Sequence, residues 1–266
     1  MTVNQFNIPT EILKKIENRQ YSIDEIGMSD SQVICFDDMI LKIESADEAS
    51  NNEHVMMRWL KDKLPVPQIL CSKKENGINY LLMSRIEGEM SCDQNYMENP
   101  NVLIKTLADG LKMLWKVRIK DCPYDNSLDH KLQMAEQRVK MGVCDTEDCE
   151  KDTYGENGFR DPEELLQWLK DNRPKEDLVF SHGDYCLPNI FIQGEKISGF
   201  IDLGRCGIAD KYQDIALCYR SLVHNADGYY GEKVYPEINL EGLFDELEIE
   251  PDWEKIKYYI LLDELF

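Results

Sequence analysis

The chain has 266 residues, 42% hydrophobic and 30% charged, with 30 basic against 51 acidic side chains and a net charge of −21. That length suits one two-lobed domain or two closely joined ones, and the mixture excludes a disordered tail, a collagen-like fibre and a coiled-coil rod. No apolar run approaches the ~18 residues of a membrane span, and so acidic a chain is repelled by nucleic acid and by anionic lipid.

Residues 1–10 show no basic n-region followed by an apolar stretch, so no secretory signal is expected. The nine cysteines, an odd number, form no C-x-x-C pair. They read as reduced thiols of a cytoplasmic protein. Residues 31–36 and 39–43 are short β-type runs joined at Asp37-Asp38. From about 50 to 63 the pattern turns helical: Val55, Met56, Trp59 and Leu60 recur at helical spacing, and Pro65 is the expected stop. Residues 68–71 and 80–83 read as a strand pair around Glu75-Asn76-Gly77, and residues 84–88 as a crossing segment.

Beyond it helices dominate. Residues 102–115 are amphipathic, and Asp161-Pro162-Glu163-Glu164 is a helix start with an Asp cap, a first-position Pro and acids in the first turn. A small β island is expected at 180–202 and a helix at 252–266. A strand-rich front and a helix-rich back predict an α+β chain with a cleft between lobes. The expected division is a β-rich lobe at 1–83, a hinge at 84–88 and a helical lobe at 89–266.

Two stretches carry chemistry. Ser181-His182-Gly183-Asp184-Tyr185-Cys186-Leu187-Pro188-Asn189 is followed by Ile197-Ser198-Gly199-Phe200-Ile201-Asp202-Leu203-Gly204-Arg205. Their spacing matches H-x-D-x-x-x-x-N … D-x-G, the order of kinase catalytic and metal loops. A metal clamping ATP phosphates needs hard oxygen ligands, which Asp202 and the Asn189 amide supply. A separate carboxylate, Asp184, is placed to face the attacking hydroxyl. A lone His-Gly-Asp is commonly a turn, and a lone Asp a strand-end cap. All three at this spacing point to a phosphotransferase.

Such a site needs a lysine on a front-lobe strand and a glutamate on the following helix. Lys42 and Glu53 fit, with Glu48 as the alternative partner. Most strand lysines are solvated face residues, so it is the downstream motif that favours a role for Lys42. Neither a Walker loop nor G-x-G-x-x-G is present. Gly27-Met28-Ser29-Asp30-Ser31 offers small residues for a phosphate, with Ser29 as the candidate contact, although a plain turn fits equally.

A protein kinase follows its D-x-G with roughly twenty to thirty residues closed by A-P-E. Here Asp210-Lys211-Tyr212-Gln213-Asp214-Ile215-Ala216 begins a helix almost at once, so the expected acceptor is a small molecule. Asp214 either anchors the loop above it or is an ordinary first-turn acid. The tail places Asp263, Glu264 and the terminal carboxylate at a helix C-terminus, where the macrodipole disfavours each by roughly 0.3–1 kcal/mol. A bound cation relieves that; a frayed, solvated tail is the bland reading. A second acidic stretch runs over 145–152 and on to Glu156. Two acidic patches beside a kinase motif suggest a polyamine alcohol, each contact contributing up to about 4 kcal/mol before desolvation.

These residues, with Leu64-Pro65-Val66-Pro67, Asp121-Cys122-Pro123-Tyr124 and residues 178–184, 198–205 and 251–266, resemble the aminoglycoside phosphotransferases of the 3′-hydroxyl class. Their broad-spectrum type III member is the nearest likeness. The resemblance implies a bilobal protein-kinase-like fold, with an antiparallel-sheet N-lobe carrying one main helix and a mostly helical C-lobe. It implies transfer of the ATP γ-phosphate, with Mg²⁺, to the 3′-hydroxyl of drugs such as kanamycin or neomycin, and so antibiotic resistance. Carried over, Asp184 is the catalytic Asp, Asn189 and Asp202 are metal ligands, and Lys42 and Glu53 form the phosphate-positioning pair. Ser84 to Ile86 supply backbone bonds to adenine and Ile40 lies against it. Arg205, Glu150, Asp263, Glu264 and the Phe266 carboxylate line the aminoglycoside site. Leu187 and His224 depart from the type III member, which has an Asp and a Glu near those places. No nucleic acid, membrane or obligate protein partner is expected. The rival readings are a kinase of another small alcohol, such as choline or a sugar, and a nucleotide- or cation-binding pseudokinase.

Overall fold

Alternating apolar positions and turn residues through the first part of the chain build one antiparallel sheet in the computed structural model, which describes residues 7–24, 31–147, 149–231 and 233–266. A helix, α1 (Thr10–Ile16), precedes β1 (Ser22–Asp24), β2 (Gln32–Cys35) and β3 (Met39–Ser45). The main helix α2 (Glu48–Leu60) then leads to β4 (Ile69–Glu75) and β5 (Ile78–Ser84), and the strand order is β1-β2-β3-β5-β4. The turns fall at Asp37-Asp38 and Asn76-Gly77, as the sequence predicts. In β3 the pleat sends Met39 and Leu41 into a core with Ile12, Ile34, Phe36 and Leu82. Ile40, Lys42 and Glu44 therefore share the other face.

The α2 boundaries differ from the apolar pattern at both ends. The helix starts at Glu48 because Asp47 and Ser50 cap it reciprocally: the Asp47 carboxylate accepts the Ser50 N–H at 2.8 Å and Ser50 Oγ accepts the Asp47 N–H at 3.0 Å. Such a cap contributes about 1 kcal/mol. The helix stops at Leu60, well before Pro65. Asp62 turns left-handed, at φ 66°, and the N–H groups of Lys63 and Leu64 fold back onto the Leu60 carbonyl.

The chain continues through β6 (Glu89–Met90), α3 (Gln94–Met97), α4 (Pro100–Trp115), α5 (Leu128–Met141) and α6 (Pro162–Asp171). Asp161 caps α6 as expected, accepting the Glu164 N–H at 2.9 Å. Then come β7 (Leu178–Ser181), β8 (Ile190–Gln193), β9 (Lys196–Phe200), β10 (Gly207–Asp210), α7 (Lys211–Ala226), α8 (Gly242–Leu247) and α9 (Trp253–Asp263).

The chain forms two compact units. One takes the residues up to 89 together with 191–205; the other takes 90–190 and 206–266. Residues 191–205 carry β9 and most of β8, a segment that a division by contiguous sequence assigns to the helical part. The expected β island is accordingly split, with β7 pairing antiparallel to β10 in the second unit. There α7 packs on α9 and α4 on α8, burying Leu107, Leu111, Ile215, Leu222 and Leu262. Among the described residues no helix is long and apolar enough to cross a membrane, and all nine cysteines are free.

Candidate functional site

In the first unit the site is built around Lys42. It sits mid-strand, opposite Val33 on β2 and Leu81 on β5. Its ammonium donates to Glu53 Oε2 at 2.9 Å and to Asp202 Oδ1 at 3.2 Å, and lies 3.2 Å from Glu44 Oε2. Glu53, only 2% exposed, is the helix partner; Glu48 is exposed in the first turn. The other Glu53 oxygen accepts the Leu203 N–H at 3.3 Å. Burial opposes the Lys42 charge, but Glu53, Asp202 and Glu44 together outweigh it and hold the pKa well above the ordinary lysine value. Burial likewise pushes Glu44 up to about 7, against the pull of Lys42. Glu44 is a third carboxylate that the motif search passes over. Its signal is simply position i+2 on the same strand face.

Asp202 adopts a left-handed backbone, φ 56°, which is uncommon outside glycine. The turn that follows is clamped to α2. Asn52 donates to the Gly204 carbonyl at 2.9 Å, and a Cβ on Gly204 would stand 2.9 Å from the Ala49 carbonyl oxygen. Only glycine fits that approach. Arg205 closes the same turn, partly exposed.

Of the expected adenine contacts, Ile40 and Ile86 are partly exposed, and Ile86 lies over Gly199. The Ser84 and Arg85 N–H groups are already bonded, to the carbonyls of Gln68 at 2.9 Å and Asp38 at 3.0 Å. With those two N–H groups engaged, the backbone groups of this segment left to propose for adenine are its carbonyls and the Ile86 N–H. Ser29 and the rest of Gly27-Met28-Ser29-Asp30 lie outside the described residues.

In the second unit Asp214 settles its two alternatives. It is fully buried and accepts Ser181 Oγ–H at 2.9 Å and the N–H groups of His182 and Gly183, both at 2.8 Å. It therefore anchors the loop that presents Asp184. Burial raises its pKa, opposed by His182 and these bonds. Further along, buried Tyr185 donates to the Leu107 carbonyl at 2.9 Å. Leu187 is also fully buried; its N–H bonds to Ser221 Oγ at 3.0 Å and its carbonyl accepts Ser91 Oγ–H at 2.8 Å. Leu187 is thus core.

Between these pins the Asp184 carboxylate is held on both sides. Oδ1 accepts the Cys186 thiol at 3.0 Å, and Oδ2 accepts Asn189 Nδ2 at 3.0 Å. The same Nδ2 reaches the Asp184 carbonyl at 3.0 Å. With its NH₂ so committed, Asn189 keeps its amide oxygen as the group suited to a cation. Among the described residues no three Asp, Glu, His or Cys side chains form a metal site by themselves. Magnesium is commonly held by one or two protein oxygens, with phosphates and waters completing its shell.

The acidic end departs from the sequence reading. Its helix terminus is not left uncompensated. Arg138 of α5 donates to the Leu265 and Phe266 main-chain oxygens, both at 2.7 Å. Arg220 of α7 donates to Asp263 Oδ2 at 2.6 Å and lies 3.8 Å from both Glu150 and Glu264. The Glu150 N–H bonds to Glu264 Oε1 at 3.2 Å. So Glu150, Asp263 and Glu264 do meet, but around an internal cation that the sequence reading missed. Burial lifts Glu264 to about 7, while the Glu150 N–H and Arg220 pull it down. Glu150 is lowered, chiefly by its bond to His224. Burial raises Cys186, next to Asp184, and its other charged neighbours are Arg220 and Asp263. Asp148, in the middle of the second acidic stretch, lies outside the described residues.

The profile of the phosphotransferase enzyme family matches residues 10–258. An aminoglycoside 3′-phosphotransferase of Enterococcus faecalis is 40% identical over 273 residues, covering 98% of this chain and 99% of its own length. The crystal structure of an aminoglycoside-3′-phosphotransferase of type VIII superposes with a TM-score of 0.80 at 25% identity, over 96% of this chain and 97% of that one. A Streptomyces rimosus aminoglycoside phosphotransferase in complex with ADP and streptomycin gives a TM-score of 0.77 at 23% identity, over 96% of this chain and 95% of that one. At that identity the likeness is one of fold alone.

Proposed function

The chain belongs to the phosphotransferase enzyme family, and we propose that it transfers the γ-phosphate of ATP to the 3′-hydroxyl of aminoglycosides such as kanamycin or neomycin, conferring resistance to them. The observation that carries the reading is the Lys42 ammonium held between Glu53 at 2.9 Å and Asp202 at 3.2 Å. A strand lysine fixed by a helix glutamate and facing a metal-loop aspartate is what a triphosphate site requires. Lys42 neutralises phosphate, and Glu53 holds it in place. Ile40 and Ile86 cover adenine, and the Ile86 N–H is the donor we assign to it.

Magnesium, when bound, would neutralise the triphosphate, and the Asn189 amide oxygen and the Asp202 carboxylate are the hard oxygens that would hold it. Asp184 meets the drug hydroxyl. Held at both oxygens, its carboxylate is fixed in rotation, orients the hydroxyl and takes its proton late, because phosphoryl transfer is loose. The new P–O bond forms to the hydroxyl oxygen while the bridging oxygen leaves with ADP. Glu150, Asp263 and Glu264 are the groups we assign to the ammonium groups of the drug, and Arg205 and Phe266 are assigned to its binding as well. We assign the enzyme to the cytoplasm, which supplies ATP and keeps the nine thiols reduced.

An ATP-consumption assay with kanamycin, neomycin, choline and hexoses tests this. The expected result is turnover with the aminoglycosides. Turnover confined to choline or a hexose would decide against the proposal, and nucleotide binding without any product would mark a pseudokinase.

A further inference from the structure

Helix α7 ends at Ala226, and the chain reverses there. Gly228 takes φ 76°, the Asp227 N–H bonds to the Val223 carbonyl and the Tyr229 N–H to the His224 carbonyl, each at 2.9 Å. A side chain at 228 is strained in that backbone, and its Cβ would stand 3.0 Å from the Gly231 carbonyl oxygen. The reversal lays Tyr229 flat on the His224 imidazole, 4.4 Å between centroids and 16° between planes. Tyr230 stands edge-on to both rings, 5.0 Å from Tyr229 and 5.8 Å from His224.

His224 ties these rings to the acids. Its Nε2 lies 3.1 Å from Glu150 Oε1, and its Nδ1 lies 3.3 Å from the Tyr230 hydroxyl. A carboxylate only accepts, so Nε2 carries the proton. On a neutral imidazole Nδ1 then accepts the Tyr230 O–H. The result is one chain of bonds, Tyr230 to His224 to Glu150, that fixes both the tautomer and the Tyr230 ring. The tyrosine hydroxyl, raised by burial, has the Cys186 thiol and the charged Arg220 and Glu150 among its neighbours. Tyr230 is thus linked through His224 to Glu150, yet it is 56% exposed, and Tyr229 is 62% exposed.

Two rigid aromatic faces beside carboxylates suit a ligand with apolar C–H faces and ammonium edges. A protonated aminosugar has both, and its ammonium also gains from the π face. A nucleic-acid base would stack as well, but its phosphates are repelled by this chain. We infer that Tyr230, oriented by His224, is a specificity-determining wall of the aminoglycoside site, stacking on the aminosugar ring whose ammonium pairs with Glu150. This rests on the proposed function and names a part of that site.

The test is steady-state kinetics of the full chain with kanamycin and MgATP for Tyr230→Ala, Tyr230→Leu, Tyr230→Phe, His224→Gln and the His224→Gln/Tyr230→Phe pair. Tyr230→Ala should raise the kanamycin KM by about tenfold, the scale of one aromatic–cation contact, with the ATP KM unmoved. Tyr230→Leu, which keeps apolar bulk without the π face, should do nearly the same and stands in if the alanine variant does not fold. Tyr230→Phe should raise it less. The His224→Gln and Tyr230→Phe effects should not add, because both cut the same chain of bonds. A kanamycin KM unchanged in the alanine and leucine variants overturns the inference alone, as does an ATP KM that rises in step. No aminoglycoside turnover by the unaltered enzyme overturns the functional reading and this inference with it.

Discussion

Replacing Arg220 with methionine removes the cation at the centre of the acids while keeping most of the stem's bulk. The guanidinium is 19% exposed, and its partners Asp263 and Glu264 are 11% and 5% exposed. Removing one partner of a buried pair costs about 3–5 kcal/mol, and residual exposure here argues for the lower end, about 3 kcal/mol. At roughly 2–4 °C per kcal/mol for a chain of this size, the melting temperature should fall by about 6–12 °C. The loss should depend on pH. Glu264 already stands at about 7, raised by burial and held back in part by Arg220, so the variant lifts it further. A carboxyl with a raised folded pKa binds its proton more tightly when folded. Stability therefore falls as pH rises from the unfolded value towards the folded one, then levels off. In the unaltered chain that fall ends near 7; in the variant it continues. The stability gap should be wider at about pH 8 than at about pH 6, read by urea titration at both. A gap below about 1 kcal/mol, or one equal at the two pH values, would refute the counter-ion role of Arg220.

Asp184→Ala should lower kcat by at least ~10²-fold with the nucleotide Kd, from equilibrium dialysis, largely intact; near-normal turnover removes Asp184 from the chemistry. Asp214→Ala removes the buried acceptor shared by the Ser181 hydroxyl and the His182 and Gly183 N–H groups and should cost roughly 3 kcal/mol in urea titration. A loss under about 1 kcal/mol would show that the loop keeps its shape without this anchor. Gly204→Ala forces the metal-loop turn off the start of α2 at a cost of about 1–3 kcal/mol, and should raise the ATP KM more than the kanamycin KM. The reverse order would separate that turn from the nucleotide.

Strands, turns and the meeting of Lys42 with Glu53 and Asp202 were legible, the strands and turns because local rules decide them. The Asp37-Asp38 turn, the β3 alternation and the Asp161 cap each depend on neighbours in the chain. The spacing of Lys42, Glu53 and Asp202 is legible for another reason: the chemistry leaves few residue types free to vary. What escaped depends on contacts distant in sequence. Arg138 and Arg220 each look like an ordinary helix arginine, and only the fold brings them to a C-terminus more than forty residues away. The early α2 start escaped because a cap of two polar side chains leaves no mark on apolar periodicity. Leu187 looked like a lost acid, yet its place in the core is fixed by Ser91 and Ser221.

The decisive experiment incubates the purified chain with MgATP and kanamycin, weighs the product by mass spectrometry and locates the new phosphate by two-dimensional ³¹P–¹H NMR. Kanamycin should gain one phosphoryl group whose phosphorus couples to the proton on the 3′ carbon. An unmodified drug, or phosphate on a different hydroxyl, would contradict the proposed function.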